Sequence, residues 1–505
     1  MSYKPLFAII LAVCISSCSS TAQLSNLPAS NASTDSTKYD WAAQTGKYLE
    51  SIQSKEVFLR QFFAEMPKGG DLHNHLTGSV YAETYYDIAC MDSLYVDTLS
   101  GRLYSKKDTS SIHIIRLLPD YINSRHMLKV KLVDQWSIRN FHSYNRNIPQ
   151  DEHFFNAFGL FGAATGNHMV ALINELKQRA LHENVQYLEI MGTSPSVSDK
   201  KMDSIFNTEN YYKNTNKKLL DAIQSADTAR IRSVIDSTIK TWEQNIAWKN
   251  EGIVYGKFID SLDASSIADT NLVTRYLAYA SRKSEPLTVL AQLHIGFVAS
   301  NKAASKVVGV NIVSAENSEI SMLHYTTHML MFAVLKEKYP QVKASLHAGE
   351  LTLGLVKPED LGRHISQAVY IAKADRIGHG LDVAFERSSA SLLKYMQENF
   401  IPVEINLTSN EFILGVKDNE HPLPLYVKTK VPLVISTDDA GILRTNLAEQ
   451  YVLLVRRYGL EYSQIKQLVC NSIKYSFLKE NEKQRLMEKL EREFETFEKN
   501  ITNNY

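Results

Sequence analysis

Two histidines one residue apart, His73 and His75, sit at the end of a candidate strand, Gly70–Leu76. Side chains at i and i+2 of a strand project to the same face, so both imidazoles can point at one ion. On its own the pair is a weak sign in a chain with 15 histidines. Ser345-Leu346-His347-Ala348-Gly349-Glu350 adds a third imidazole and, beyond a glycine that permits a sharp turn, a carboxylate facing the same cavity. Asp438 and Asp439 follow the apolar run Val431–Ile435, and His379 follows the candidate strand Arg376–Gly378. Two adjacent carboxylates in a closed site are costly unless a cation or a proton intervenes. Three imidazoles and one carboxylate with an open position suit a catalytic zinc ion, and also other divalent ions. A helical His-Glu-x-x-His and the His-x-Glu…Pro-Cys-x-x-Cys pattern are both absent, which removes those zinc-enzyme classes.

These residues need elements that bring them together. Eight segments read as strands: Gly70–Leu76, Val185–Met191, Thr288–Phe297, Lys306–Val313, Val342–Leu346, Arg376–Gly378, Ile401–Leu407 and Val431–Ser436. Several are nearly continuous aliphatic runs, as in a parallel sheet covered on both faces. Helical patterns separate them, giving an α/β chain of βα units. Two longer stretches, near 85–180 and 195–285, read as helical insertions after the first and second strands. The spacing predicts one (β/α)8 TIM barrel over 41–505, because a barrel with insertions can exceed about 400 residues. Strand C-termini converge on one face of such a barrel, so residues hundreds of positions apart would share a pocket.

Composition narrows the partners. Lys+Arg and Asp+Glu both number 55 in 505 residues, leaving no global positive field for a nucleic-acid backbone. Of the four cysteines, Cys90 and Cys470 stand alone in the body and read as free thiols. Lys4, the apolar run Pro5–Val13 and the small residues before Cys18 describe a secretory signal. Ile15-Ser16-Ser17-Cys18 resembles the lipobox of bacterial lipoproteins, with Cys18 as the lipidated residue. That predicts a signal peptide over 1–17, a polar tether over 18–40, and export to the cell envelope with a membrane anchor.

Met66-Pro67-Lys68-Gly69-Gly70-Asp71-Leu72-His73-Asn74-His75-Leu76 resembles the opening of the adenosine/AMP deaminase family, within the amidohydrolase superfamily, and particularly its secreted growth-factor-like branch. Ser345–Glu350, Arg376-Ile377-Gly378-His379-Gly380 and Ser436-Thr437-Asp438-Asp439 are similar to three further elements of that family, in its order. Ser409-Asn410, His421-Pro422 and Asn471-Ser472-Ile473 also fall where the family has similar residues. The resemblance implies one zinc per chain, held by His73, His75, His347 and Asp438. It implies attack of metal-bound hydroxide on C6 of adenosine, or 2'-deoxyadenosine, with release of inosine and ammonia. Glu350 would carry the proton at purine N1, His379 would orient the water and Asp439 would bind N7. His75, Gly349 and Ser314 would also meet the nucleoside. Adenine, AMP or a modified nucleoside is the alternative substrate, and a non-catalytic surface lipoprotein is the alternative class. Two departures bear on the substrate: Thr77 stands where many members have an acidic residue, and Ser314 where the family has glycine. His294 reads as a satisfied core histidine within the third strand. His142, His153 and His168 lie in the first insertion and could touch substrate, with nothing in the sequence to order them. The phenylalanines at 154, 155, 158 and 161 read as core packing, with a lid over the nucleoside as the alternative.

Overall fold

The computed structural model describes residues 40–107, 112–141 and 148–504. The predicted signal, Cys18, the tether up to Tyr39 and His142 lie outside the described residues. Eight parallel strands form one sheet: β1 (Gly69–His75), β2 (Val185–Met191), β3 (Val273–Ser281), β4 (Val307–Val313), β5 (Lys343–Ala348), β6 (Arg376–His379), β7 (Val403–Ile405) and β8 (Leu433–Ile435). Each pairs with its neighbour in chain order, as in a (β/α)8 barrel. The seam between β8 and β1 is closed just past β8: Asp438 donates its N–H to the His73 carbonyl (2.9 Å), and the His75 N–H returns to the Asp438 carbonyl (3.2 Å). Asn74 and Asp438 thereby make a parallel bridge.

The third strand is not where the sequence predicts it. Thr288–Phe297 lies inside a helix, Pro286–Ser300, with Pro286 at its first turn. Twelve of its residues are buried, so covering on almost every side erases the helical period and leaves a run that imitates a strand. The real third strand, Val273–Ser281, falls within the stretch read as an insertion. Its Thr274, Arg275, Tyr276 and Tyr279 break the aliphatic pattern, although Tyr276, Leu277 and Ala278 are buried.

The insertions differ in kind. After β1 come helices and a small antiparallel sheet, with Tyr95–Asp97 between Leu103–Tyr104 and Ile114–Arg116, so this stretch is not wholly helical. After β2 come four helices, Asp199–Phe206, Tyr211–Gln224, Thr228–Gln244 and Ile246–Ser265. The last helix, Glu480–Asn504, buries Leu486, Leu490, Phe494, Phe497 and Ile501, a spacing of three or four residues that makes one apolar stripe. That stripe packs against the first helix, Trp41–Ile52.

Below the C-terminal face, the barrel is filled by an ionic layer. Arg376 of β6 forks onto both carboxylate oxygens of Glu189 from β2, at 3.1 and 3.2 Å, and its Nε donates to Glu404 of β7 at 2.5 Å. The guanidinium also lies 3.7 Å over the Phe477 ring. All three charged groups are buried, where removing one partner from such a network costs about 3–5 kcal/mol. Their arrangement supports the site above them.

Candidate active site

His73 and His75 of β1, His347 of β5, His379 at the end of β6, and Asp438-Asp439 just past β8 meet at the C-terminal mouth of the barrel. Hydrogen bonds at the far side of each ring decide which nitrogen faces the centre. The Nδ1 of His73 is 2.6 Å from the Glu404 carboxylate, which can only accept, so Nδ1 carries the proton and Nε2 turns its lone pair inward. That Nε2 is buried without a hydrogen-bond partner and lies 3.3 Å from Asp438 Oδ1. His347 Nδ1 donates to Asn311 Oδ1 (3.0 Å), which again leaves Nε2 for the centre. His75 Nε2 is 3.2 Å from His347 Nε2 and 3.3 Å from the same Asp438 oxygen.

Donor atoms about 3.3 Å apart are what a tetrahedral ion with bonds of about 2.0–2.1 Å requires. The residues therefore fit a divalent metal with nitrogen and oxygen ligands. Burial lowers the basicity of His73, but the Asp438 and Glu404 carboxylates on either side of the ring outweigh this and push it up to about 10. A proton thus occupies His73 when no metal does.

His379 has different wiring. Leu423 donates its N–H to His421 Nδ1 (3.0 Å), so His421 Nε2 is protonated and donates to Asn410 Oδ1 (3.1 Å). The Asn410 amide nitrogen then faces His379 Nδ1 at 3.1 Å, and the proton of His379 must be on Nε2. Although His379 lies within reach of His73, His347 and Asp438, its inward nitrogen is a donor and not a ligand. Burial holds His379 down at about 4 and His421 at about 3, so both rings are neutral at pH 7. His379 and Asp438 hold positive φ angles of 68° and 60°, a conformation that non-glycine residues keep only where the surroundings enforce it.

Two further carboxyl groups complete the mouth. Glu350 is buried, and burial, the Asp438 charge and Glu316 raise its pKa well above the usual carboxylate range. Its Oε1 lies 3.7 Å from His379 Nδ1. Burial and the neighbouring Asp438 carboxylate likewise raise Asp439 far above its ordinary value. Asp439 Oδ1 is buried with no hydrogen-bond partner. Room for that carboxylate exists because residue 78 is glycine: a Cβ there would stand 1.5 Å from Oδ1.

A cavity of about 480 Å³ opens over these groups. One wall is aromatic, from Phe154, Phe155 and Phe158 of helix Gln150–Phe161. They line the cavity as well as packing, and only Phe161, stacked on Tyr85 at 4.2 Å, is core alone. Ser194, Tyr279, Ser281, Gln292 and Ser314 also line the cavity, and among the described lining residues Lys283 is the one lysine or arginine. Ser314 has φ 85°, which explains why a glycine is at home at this position, and its hydroxyl is 2.9 Å from that of Ser281. Thr77 also lines the cavity, whereas Gly349, at φ 76°, is not among the lining residues and packs against Asp382 and Ile365.

Other histidines are elsewhere. His153 bonds the Ser137 carbonyl (2.9 Å), His168 pairs with Asp92 (2.7 Å), and neither lines the cavity. His294 is satisfied by Glu243 and Trp248, on a helix and not a strand. Cys90 and Cys470 are free. The groups that orient the site, Glu404, Asn311, Glu316, Asn410 and His421, were not assigned roles from sequence. Glu404 and Asn311 each interrupt an aliphatic strand, and a lone polar residue buried there demands a partner.

The family model described as adenosine deaminase matches residues 248–493. An adenosine deaminase of Clostridium acetobutylicum is 30% identical over 151 residues, which is 30% of this chain and 42% of that protein. The chain thus matches less than half the length of that relative. An adenosine deaminase of Phlebotomus duboscqi is 24% identical over 473 residues, covering 90% of this chain and 80% of its own. Among solved structures, the Arabidopsis N6-mAMP deaminase shares the fold, with a TM-score of 0.54 at 20% identity over 86% of this chain and 99% of that one. These likenesses support a place in the adenosine deaminase family, whose members depend on a metal.

Proposed function

We propose that the protein is a zinc-dependent hydrolytic deaminase of adenosine-like nucleosides, releasing ammonia from purine C6. The observation that carries this reading is the convergence of the His73, His75 and His347 rings, the Asp438 carboxylate and the buried Glu350 carboxyl beneath one cavity. His73, His75, His347 and Asp438 would hold the ion. When bound, zinc there supplies a water nucleophile ionised near neutral pH.

The chain's own groups do the rest. Glu350, kept protonated by burial and the Asp438 charge, donates its proton to purine N1 and draws electrons away from C6. General acid help of this kind is worth roughly 10²–10⁴ in rate. His379, fixed as the Nε2–H tautomer, offers a donor that orients the attacking water on the Asp438 side of the ring. Asp439, protonated in the same field, donates to N7, which can only accept. The Ser314 backbone and the hydroxyl wall face the remaining edge of the nucleoside.

The lining favours a nucleoside over AMP. A phosphate calls for several cationic or backbone N–H donors, and among the described lining residues the exposed Lys283 is the only cation. A cavity of about 480 Å³ exceeds what adenine alone fills. The test is ammonia release from the purified domain offered adenosine, 2'-deoxyadenosine, AMP, N6-methylated AMP and adenine. Preference for either nucleotide or for adenine would refute the assignment. We further propose export and lipid anchorage at Cys18, supported by the lipobox-like Ile15–Cys18. Among the described residues no helix is long and apolar enough to cross a membrane.

A further inference from the structure

Glu316 lies just past β4 with its carboxylate buried, and it touches no part of the cavity. Its two oxygens accept from two consecutive backbone amides: Oε1 from Gly349 (3.1 Å) and Oε2 from Glu350 (3.0 Å). Oε1 also takes the Nδ1–H of His364 at 2.5 Å, and Oε2 lies 3.5 Å from the Arg282 guanidinium. Burial opposes its charge, yet the His364 hydrogen bond and Arg282 hold it ionised, at about 2. The turn it grips is one that needs fixing. Gly349 sits at φ 76°, and Glu350 leaves β5 with no strand partner of its own. Without an acceptor, two adjacent buried N–H groups would be left unpaired, and the turn would relax to satisfy them.

We propose that Glu316 is a positioning residue that sets the Glu350 carboxyl against the purine by clamping the backbone amides of Gly349 and Glu350. This rests on Glu350 being the proton carrier. The clamp is specific for a carboxylate. In Glu316→Gln one of the two acceptors becomes an NH2 that confronts a backbone N–H. A misplacement near 1 Å of a reacting group costs about 10²-fold. His364 acts one step further out: its ring stacks on Tyr325 at 3.6 Å and 11°, which holds the Nδ1–H on Glu316.

The experiment is a double-mutant cycle on the zinc-loaded protein, with kcat, KM, zinc content and Tm measured for each variant. Glu316→Gln is expected to lower kcat by about 10- to 100-fold, with KM within about threefold and zinc retained. In a Glu350→Gln background the same change should lower kcat no further, because the group it positions no longer carries a proton. A Glu316→Gln variant within twofold of wild-type kcat, a full additional loss in the Glu350→Gln background, or loss of zinc would overturn the proposal. Should Glu316→Gln fail to fold, His364→Phe keeps the stacked ring and removes only the donor. A several-fold loss of kcat that vanishes in the Glu350→Gln background supports the clamp, and wild-type kcat refutes it. If Glu350→Gln alone is fully active, the proton-carrier reading falls first and this one with it.

Discussion

His73 and Asp438 are joined twice across the seam of the barrel, by a backbone hydrogen bond of 2.9 Å and by a side-chain approach of 3.3 Å between Nε2 and Oδ1. The residues offered to the metal are thus also the residues that close the first strand onto the end of the last. An ion held by the proposed ligands would therefore couple metal binding to barrel closure.

The first prediction follows from that coupling. An ion that binds only the folded state at a free concentration a thousand times its Kd adds about 4 kcal/mol. Chelation should therefore lower Tm by several degrees and restoring zinc should recover it. His347→Ala should lose most of its zinc by elemental analysis and show no such dependence. Full zinc occupancy with unchanged activity in that variant would remove His347 from the ligand set.

The second separates the fold and the metal from the proton. Glu350→Gln should keep zinc and Tm but lose kcat by 10²-fold or more, since the amide has no proton to give. The sign with pH is fixed by the same group. Burial, the Asp438 charge and Glu316 raise its pKa above the usual carboxylate range, so wild-type kcat should fall as pH rises and Glu350 ionises. A variant retaining a tenth of wild-type kcat would reject the role.

Much of this site is legible in the sequence, because strand ends gather chemistry whatever the loops do. His73, His75, His347 and His379 lie at the ends of strands and Asp438 just past one, and the barrel makes those ends meet. What the sequence hides is the layer beneath. Glu404 and Asn311 look like flaws in apolar strands, and only the fold shows that each aims one imidazole. The helix Pro286–Ser300 deceives for the opposite reason: buried almost all round, it has no polar face to reveal its period. The aromatic helix Gln150–Phe161 serves core and cavity at once, and spacing alone does not divide those duties.

The third prediction tests the His379 tautomer. Asn410→Asp replaces the amide donor by a carboxylate that only accepts, which draws the proton to His379 Nδ1 and strips the inward Nε2 of it. We expect kcat to fall by about 10²-fold or more with zinc retained, since holding the wrong tautomer can cost as much as about 10⁴. His421→Phe, which only frees the Asn410 amide to turn, should lose less. If Asn410→Asp matches wild type, His379 does not act through Nε2–H.

The fourth concerns the N-terminal segment. Cys18→Ser should abolish incorporation of radiolabelled palmitate and move the protein out of the detergent fraction, with kcat of the folded domain unchanged. Label persisting in the Ser variant would place the anchor at another residue.

The last prediction concerns how the purine is read. Asp439 Oδ1 is buried with no partner, and burial together with the Asp438 charge raises its pKa, which favours the protonated acid. A protonated carboxyl meets N7 as a donor, and replacing N7 by CH in 7-deazaadenosine leaves that donor facing carbon. The unpaired group costs about 1–3 kcal/mol, or roughly 5- to 150-fold in kcat/KM. Asp439→Ala should lose activity on adenosine and shrink the gap between the two substrates. Gly78→Ala reaches the same carboxylate from behind: its methyl would need the place that Oδ1 occupies, so the side chain must swing away. That variant should also narrow the gap while Asp439 is still present, which separates the position of the carboxyl from its mere existence. If wild-type protein turns over 7-deazaadenosine as well as adenosine, Asp439 does not read N7, and its proton serves the water held by His379 instead.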